Sequence, residues 1–400
     1  MVTVAEADKI ILAESRHYGM EGIPFDSALG RVLATGIVAD RDQPPGNRVT
    51  MDGIAINFDA FANGVREFRI RATQAAGDSP INIGAPEECI EIMTGAVLPA
   101  TTDTIIRYED LDIKDQKATL LVESITRGQN IHLQGKDKKK EDRVAAPHQR
   151  ITPAIVHMAA SVGLTTLSVM KLPRTVIISS GDELVEVDKT PSDFQVRMSN
   201  NHSIKAVLKH YGLQAAMLYI PDNPGAIDRK LEKCLQEFEV ILLSGGVSMG
   251  KFDYIPQALE KLSVKKHFHK VKQKPGKPFW FGKHSNGVVV FAFPGNPVST
   301  FMCLHRYFLP WLEASLQLDN RLPLYAILNE DFTFNAPLQY FLQVKIQADE
   351  KGMLLATPLE GNGSGDYANL LDTNAFMELP AEVNVFRKGD VYRVWRFGEW

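Results

Sequence analysis

Apolar positions recur with different periods along the 400-residue chain, and the changes of period divide it into segments. At the start, Thr3 and Glu6 have capping-box spacing and are followed by Ile10, Ile11 and Leu12, which predicts a helix that Gly19 is placed to stop. From about residue 37 to 138 short apolar runs at 53–56, 68–72, 89–93 and 104–108 are separated by turn residues, a mostly β pattern. Residues 155–167 turn helical again, and Lys171-Leu172-Pro173 opens a new unit. There the runs 175–180, 240–243 and 288–293 read as buried strands, each ending at a Gly- or Pro-bearing turn. Between them, Ile204, Val207, Leu208 and Tyr211 mark one face of a helix over 199–211, and Ile227, Leu231, Cys234 and Phe238 mark another. Strand, helix, strand in that order implies a parallel sheet with right-handed crossovers, with ligands beyond the carboxyl ends of its strands. After Pro310 and a Leu-rich linker, β alternation returns at 340–346 and 391–395, while the mixed-charge run 136–143 reads as a solvated loop.

Composition narrows the function classes. A chain this long is expected to form roughly two to four domains. With 44% hydrophobic and 23% charged residues it reads as an ordinary soluble globular protein. A formal net charge of −4 gives no general attraction for nucleic acid or anionic membrane, so any anion site must be local. Cys89, Cys234 and Cys303 form no CxxC pair, which argues against a disulfide framework or thiolate metal site and suits a reducing cytoplasm. No signal-peptide pattern or membrane-length apolar run is present in the sequence.

The candidate chemistry falls at the predicted strand ends. Asp182 and Glu183, straight after a strand, can hold a hard cation such as Mg²⁺, or simply cap a helix. Gly245-Gly246 lets backbone approach a ligand, and Asp253 could add a carboxylate. This stretch nearly matches a P-loop through Gly245, Gly250 and Lys251, but Phe252 stands where the Mg²⁺-binding hydroxyl belongs. Lys274-Pro275-Gly276-Lys277-Pro278 is a stiff positive loop able to hold an oxyanion, or else a charged surface turn. Pro294-Gly295-Asn296-Pro297-Val298-Ser299 opens a helix whose N-terminus could receive an anion, although capping alone explains much of it. Residues 50–53 and 93–96 read as turns, His267 and His269 as one exposed face of a strand, and Gly361-x-Gly363 lacks the context of a dinucleotide fingerprint.

Each signal is weak alone, but their order is specific. Met51-Asp52-Gly53, Met93-Thr94-Gly95-Ala96, Gly135-x-Asp137, Gly181-Asp182-Glu183-Leu184, Ser199-Asn200, Asp222, Gly245-Gly246-Val247-Ser248 with Asp253, Lys274-Pro-Gly-Lys277-Pro278 and Pro294-Gly-Asn-Pro297 together resemble the MoeA/gephyrin E-domain family over nearly the whole chain. The resemblance implies an α/β-plus-β, elongated multidomain homodimer. Its parts would be an N-terminal linking domain (1–45 and 139–172, with residues 1–24 free to pack on the α/β domain), a β-rich insertion (46–138), a MogA-like α/β domain with a parallel or mixed sheet (173–320) and a C-terminal β-barrel-like domain (321–400). It further implies insertion of molybdate into adenylylated molybdopterin, with release of AMP and a divalent cation assisting.

On that resemblance, Asp182, Glu183, Asp222 and Asp253 hold the cation, and Lys274, Lys277, Pro278, Ser299 and Ser364 receive molybdate. Gly245, Gly246, Ser248, Gly295 and Asn296 face the pterin substrate, and Asp52, Thr94 and Asp137 come from the partner subunit. A contact with the molybdopterin adenylyltransferase is also implied. The chain departs from the family pattern at Val49 and Ile54, where hydroxyl residues are usual, at Thr101-Thr102, at Lys251, and at Gln343, where Arg is usual. Two other readings compete: a MogA-like adenylyltransferase, and a non-catalytic dimeric scaffold.

Overall fold

A computed structural model describes residues 1–247, 254–318 and 322–398, which separate into two compact units. One comprises residues 35–147 and 153–165, the other residues 1–34, 148–152 and 166–400. The first is built on a six-stranded sheet in the order Thr104–Arg107, Gly53–Ile56, Glu88–Ile92, Glu67–Gln74, Lys117–Leu120, Leu111–Lys114. Gly53–Ile56 is buried on both faces: Ile54 and Ile56 pack with Phe68 and Ile106, while Ala55 packs with Val49 and Ile90. That is why this stretch is an uninterrupted apolar run rather than an alternating one.

In the larger unit, the α/β layer has strands β1 (Thr175–Ser180), β2 (Ala215–Ile220), β3 (Val240–Ser244), β4 (Val264–His269), β5 (Trp280–His284) and β6 (Val289–Phe293). They run β2-β1-β3-β6-β5-β4, the first four parallel and the last two antiparallel additions at one edge. Alternate residues feed two cores, Ile177 and Leu242 facing one side, Val176, Ile178, Ile241 and Leu243 the other. Helices cover both faces, among them Asn200–Lys209 and Pro224–Glu237, as the apolar spacing at Ile204, Leu208, Ile227 and Leu231 predicts.

The C-terminal strands close on themselves. Gln339–Ala348, Leu354–Pro358, Leu324–Leu328, Val391–Arg396 and Ala375–Leu379 pair in that order, and the last pairs back to the first, forming a small barrel. The two-residue strand Gln273–Lys274 joins this barrel from outside, pairing parallel with Gln339 and Tyr340. The lysine-bearing loop of the α/β layer is thus stitched to the barrel by backbone.

Several expectations need correction. The first helix, Val4–Ala13, has its capping box but ends at Glu14, five residues before Gly19. The helix expected over 155–167 is Pro153–Ser161, and Leu167 lies on strand Thr166–Met170, paired with Met20–Pro24. The linker expected after Pro310 is helical: Pro297–Cys303, a π-turn Leu304–Phe308 and Leu309–Ser315 run on without a break. A proline ring crowds the carbonyl four residues back, and the wider π-turn just before Pro310 relieves that crowding. Strand β2 carries neither alternation nor a continuous buried run, since as an edge strand it leaves Ala216 and Met217 exposed.

Arg306 sits inside the larger unit with a side chain only 4% exposed. Its guanidinium donates to Asp8 Oδ2 on the first helix at 2.7 Å and lies 3.5 Å from Glu378 of the barrel, which also accepts from Trp395 Nε1 at 2.6 Å and from Gln339 Nε2. Removing the cation leaves two carboxylates without their counter-charge, so Arg306→Met should cost about 3–5 kcal/mol. Urea denaturation followed by tryptophan fluorescence checks this, and an unshifted midpoint refutes it.

Candidate active site

Strand register decides which loops meet. Ser180 lies opposite Ile220, Ser179 opposite Ser244, and Ser244 opposite Phe293, so the turns at Gly181, Pro221, Gly245 and Pro294 leave one edge side by side. Gly245 has φ +95°, and a Cβ there would stand 2.5 Å from the Ser180 carbonyl oxygen. Gly246 has φ +70°, with Ile255 Cγ1 2.6 Å from any added Cβ. Only glycine fits both positions. The cavity over this edge, about 580 Å³, is lined by Ser180, Glu183, Asn200, Gly245, Asn296 and Tyr367 among others.

Carboxylates gather at one end. Ser180 Oγ donates to Asp222 Oδ1 at 2.8 Å, and the Asp222 N–H donates to Asp182 Oδ1 at 3.0 Å. No helix begins at Asp182; the chain runs into strand Leu184–Val185, which removes the capping explanation for the Asp182-Glu183 pair. The Tyr219 hydroxyl nearby donates to the Gly181 carbonyl at 3.2 Å. Its pKa is raised by burial first, then by the charges of Asp182, Asp222 and Glu183. No three His, Cys, Asp or Glu side chains close into a metal cage among the described residues. Mg²⁺ does not need one, since it is commonly held by one or two carboxylates and completed by substrate phosphate and water. Asp182 and Asp222 fit that requirement.

Positive charge gathers at the other end. A second cavity, about 390 Å³, is lined by Lys274, Lys277, Pro278, Ser299, Gln343 and Ser364 among others. Its lysine loop is held from beneath by Gln273, a fully buried amide that donates to the Gly276 carbonyl at 3.1 Å and accepts from the Tyr307 hydroxyl. Gly276 has φ +84°, and an added Cβ would lie 2.7 Å from Cys303 Sγ and 2.9 Å from Gln273 Nε2. Lys274 Nζ lies 5.2 Å from the Phe334 ring centre and 5.4 Å from that of Tyr340, a cation–π arrangement that steadies an exposed lysine. Burial, with the charge of Glu360 added, pushes the Tyr340 hydroxyl up to about 12, so it stays protonated near neutrality.

The two cavities meet at Asn296, which lines both. Asn296 Nδ2 donates to Ser364 Oγ at 2.7 Å, and the Val298 N–H donates to the Ser364 carbonyl at 3.1 Å. That N–H, expected to be free for an anion at the helix start, is therefore already engaged.

Three family models match: the MoeA N-terminal region (domain I and II) over residues 2–163, a probable molybdopterin binding domain over 176–314, and the MoeA C-terminal region (domain IV) over 325–397. A molybdopterin molybdenumtransferase from Synechocystis sp. is 37% identical over 395 residues, 98% of this chain and 99% of that one. The chain belongs to the MoeA family. It is an enzyme of molybdenum cofactor biosynthesis. The molybdopterin molybdenumtransferase of Bacillus subtilis is 27% identical, covering 98% of this chain and 93% of its own. A solved structure of the molybdopterin biosynthesis MoeA protein from Pyrococcus horikoshii superposes with a TM-score of 0.83 at 25% identity, covering 99% of this chain and all of that one. Matches on both sides of the α/β region remove the MogA-like alternative, and the relatives' activity removes the scaffold.

Against that family, the remaining expected residues are placed as follows. Ser248 and Asp253, with Gly250, Lys251 and Phe252, lie outside the described residues. Asp52, Thr94 and Asp137 belong to the smaller unit. The Thr94 N–H donates to Asp52 Oδ1 at 2.6 Å, and His132 Nε2 lies 2.9 Å from Asp137 Oδ1. The turns at 50–53 and 93–96 are therefore one bonded feature. Gly53 is required there because an added Cβ would fall 1.9 Å from the Ile106 carbonyl oxygen. Val49 and Ile54 are core residues, so their lost hydroxyls come from the interior and not from a substrate surface. Thr102 Oγ1 donates to the Pro99 carbonyl at 2.9 Å, and Thr101 Oγ1 accepts from the Ile83 N–H at 3.0 Å, so both serve the local turn. Gln343 does face the lysine cavity, with a buried Oε1 that has no hydrogen-bond partner among the described residues.

His267 and His269 do not form an exposed face: both are half-buried, His267 beside Glu14 at 3.2 Å and His269 Nε2 2.9 Å from the Val247 carbonyl. Gly361 and Gly363 line the lysine cavity instead of binding a dinucleotide. Sequence reasoning missed Gln273 and Tyr307, whose contact spans 34 residues and leaves no local signal.

Two outcomes follow from this geometry. Gly276→Ala should distort the lysine loop and lower stability by at least about 1–2 kcal/mol; unchanged unfolding would contradict the packing beneath the loop. The Asp52 carboxyl is held below its ordinary value of 3.8, chiefly by the Thr94 backbone N–H. A depressed folded pKa stabilises above the unfolded value and is lost as pH falls through the folded one. The stability gap between the parent and Asp52→Asn should therefore be full at neutral pH and shrink below pH 3.8. A gap that persists or widens in acid contradicts that role.

Proposed function

We propose that the protein inserts molybdate into adenylylated molybdopterin, releasing AMP and molybdenum cofactor. One observation carries the reading: a cavity of about 390 Å³ bearing two lysines, and a cleft beyond the parallel strands with Glu183 on its wall and Asp222 bonded to its Ser180, share Asn296 as a common wall. A tetrahedral dianion and a phosphoanhydride need opposite surroundings, and these are adjacent.

Lys274 and Lys277 supply compact positive charge to molybdate, with the hydroxyls of Ser299 and Ser364 as donors and Pro278 as a stiff wall. Charge-assisted bonds of this kind are about twice as strong as neutral ones. At the other cavity the backbone of Gly245 and Gly295, with Gly246 next along the turn, allows close approach of the pterin phosphate, with no Cβ in the way. Asp182 and Asp222, with Glu183 and Asp253 as further members of the set, would hold Mg²⁺ or another divalent cation. Such a cation, when bound, neutralises charge on the phosphate as AMP departs. Asp182 also holds the Asp222 backbone, so cation and loop position are tied together.

The reading includes a homodimer in which Asp52, Thr94 and Asp137 of a second copy complete each site, a cytoplasmic setting, and a contact with the molybdopterin adenylyltransferase that would hand over the adenylylated pterin. No helix of the described residues is long and apolar enough to cross a membrane, which is consistent with that setting.

The test is AMP release from adenylyl-molybdopterin, expected only when molybdate and a divalent cation are both present. Lys274→Ala should raise the molybdate concentration for half-maximal rate by roughly tenfold or more, the effect of losing one charged hydrogen bond of about 1.5–3 kcal/mol. Asp182→Asn should instead raise the cation requirement. Release of AMP without molybdate, or variants as active as the parent, defeats the proposal.

A further inference from the structure

The two glycine turns that floor the cleft are joined by one side chain. Asn200, the first residue of helix Asn200–Lys209, lines the larger cavity and is only partly exposed. Its Nδ2 donates to Ser244 Oγ at 2.9 Å and to the Gly295 carbonyl at 2.8 Å, with Thr300 Oγ1 at 3.4 Å as a third, longer neighbour. A primary amide has two N–H bonds, so the two short contacts use its full donor capacity. Gly295 O can only accept, which fixes the amide's orientation and aims Nδ2 rather than Oδ1 at the turns.

The partners explain why this matters. Ser244 is the last residue of β3, immediately before Gly245-Gly246, and Gly295 belongs to the turn after β6. A Cβ on Gly295 would lie 3.6 Å from the Gly245 Cα, so these backbones touch with no side chain between them. Apart from the sheet itself, the backbone tie between these turns is a long one, from the Gly245 N–H to the Phe293 carbonyl at 3.3 Å. Thr300 extends the joint, donating to the Pro294 carbonyl at 2.5 Å. Glycine is the most conformationally free residue in a chain, and the left-handed pair Gly245-Gly246 facing Gly295 holds one shape only if something outside the backbone fixes it.

We propose that Asn200 is a positioning residue for the reaction: it clamps the Gly245 turn to the Gly295 turn and so sets the width of the cleft that receives the adenylylated pterin. It acts through those turns, not on the reacting atoms. This rests on the function proposed above, but concerns the pterin cleft and not the molybdate cavity.

Asn200→Asp is the informative change, because it keeps size and shape while replacing the two donors by a carboxylate oxygen facing the Gly295 carbonyl. We expect KM for adenylyl-molybdopterin to rise at least tenfold in Asn200→Asp and less in Asn200→Ala, which removes the clamp without adding repulsion. The molybdate concentration for half-maximal rate should stay within about twofold of the parent in both. A purely structural role predicts a different pattern: activity falling with the folded fraction and KM unchanged. Thr300→Val, which removes only the outer hydroxyl, gives a milder KM rise and is available should Asn200→Asp fail to fold. A parent enzyme inactive with molybdate would sink the proposed function. An active parent whose Asn200→Asp and Asn200→Ala forms keep KM for the adenylylated pterin within twofold overturns the clamp alone.

Discussion

The site depends on backbone meeting backbone at the carboxyl edge of the parallel strands. Where β1, β3 and β6 end in register, their turns crowd so closely that a Cβ on Gly245 would fall 2.5 Å from the Ser180 carbonyl oxygen. Such crowding puts peptide groups, not side chains, on the floor of the cleft. It also removes the packing that would ordinarily hold such turns, so polar side chains from neighbouring elements must do so. Ser180 and Asp182 steady the Asp222 loop, Gln273 steadies the lysine loop, and Ser364 is bonded to Asn296.

The barrel's role follows from the same constraint. At the lysine cavity it meets the α/β layer through the parallel pairing of Lys274 with Tyr340 and through Ser364 at the start of helix Pro297–Cys303. The lysine loop is therefore held from below by the α/β core and from the side by a separate barrel. Two positive side chains on a floppy loop would scatter; on a doubly anchored loop their charge is directed into one small cavity. On the function proposed above, such a lysine-bearing cavity takes the anion, and the larger one beside it takes the pterin.

Much of this was legible in the chain. The buried runs 175–180, 240–243 and 288–293 identify the central strands because a parallel sheet covered on both faces needs continuous apolar sequence. Glycine and proline at their ends mark the turns, and the order of motifs points to the family. What was hidden depends on distant partners. Whether Asp182 caps a helix or faces a cleft is decided by the strand Leu184–Val185 that follows, and whether Gly276 is obligatory is decided by Cys303, 27 residues on. Val49 and Ile54 looked like losses from a surface until their burial showed them to be core. Edge strand β2 and the proline-bearing helix Leu309–Ser315 were missed because edge position and a local π-turn override the usual patterns.

The central claim is that the lysine loop and the barrel together form the oxyanion site. Diffraction at the molybdenum absorption edge, on crystals soaked in molybdate, tests it most directly. The account predicts one strong anomalous peak in the cavity bounded by Lys274, Lys277, Ser299 and Ser364. A map with that cavity empty, and the metal bound at a different place on the protein, would contradict it.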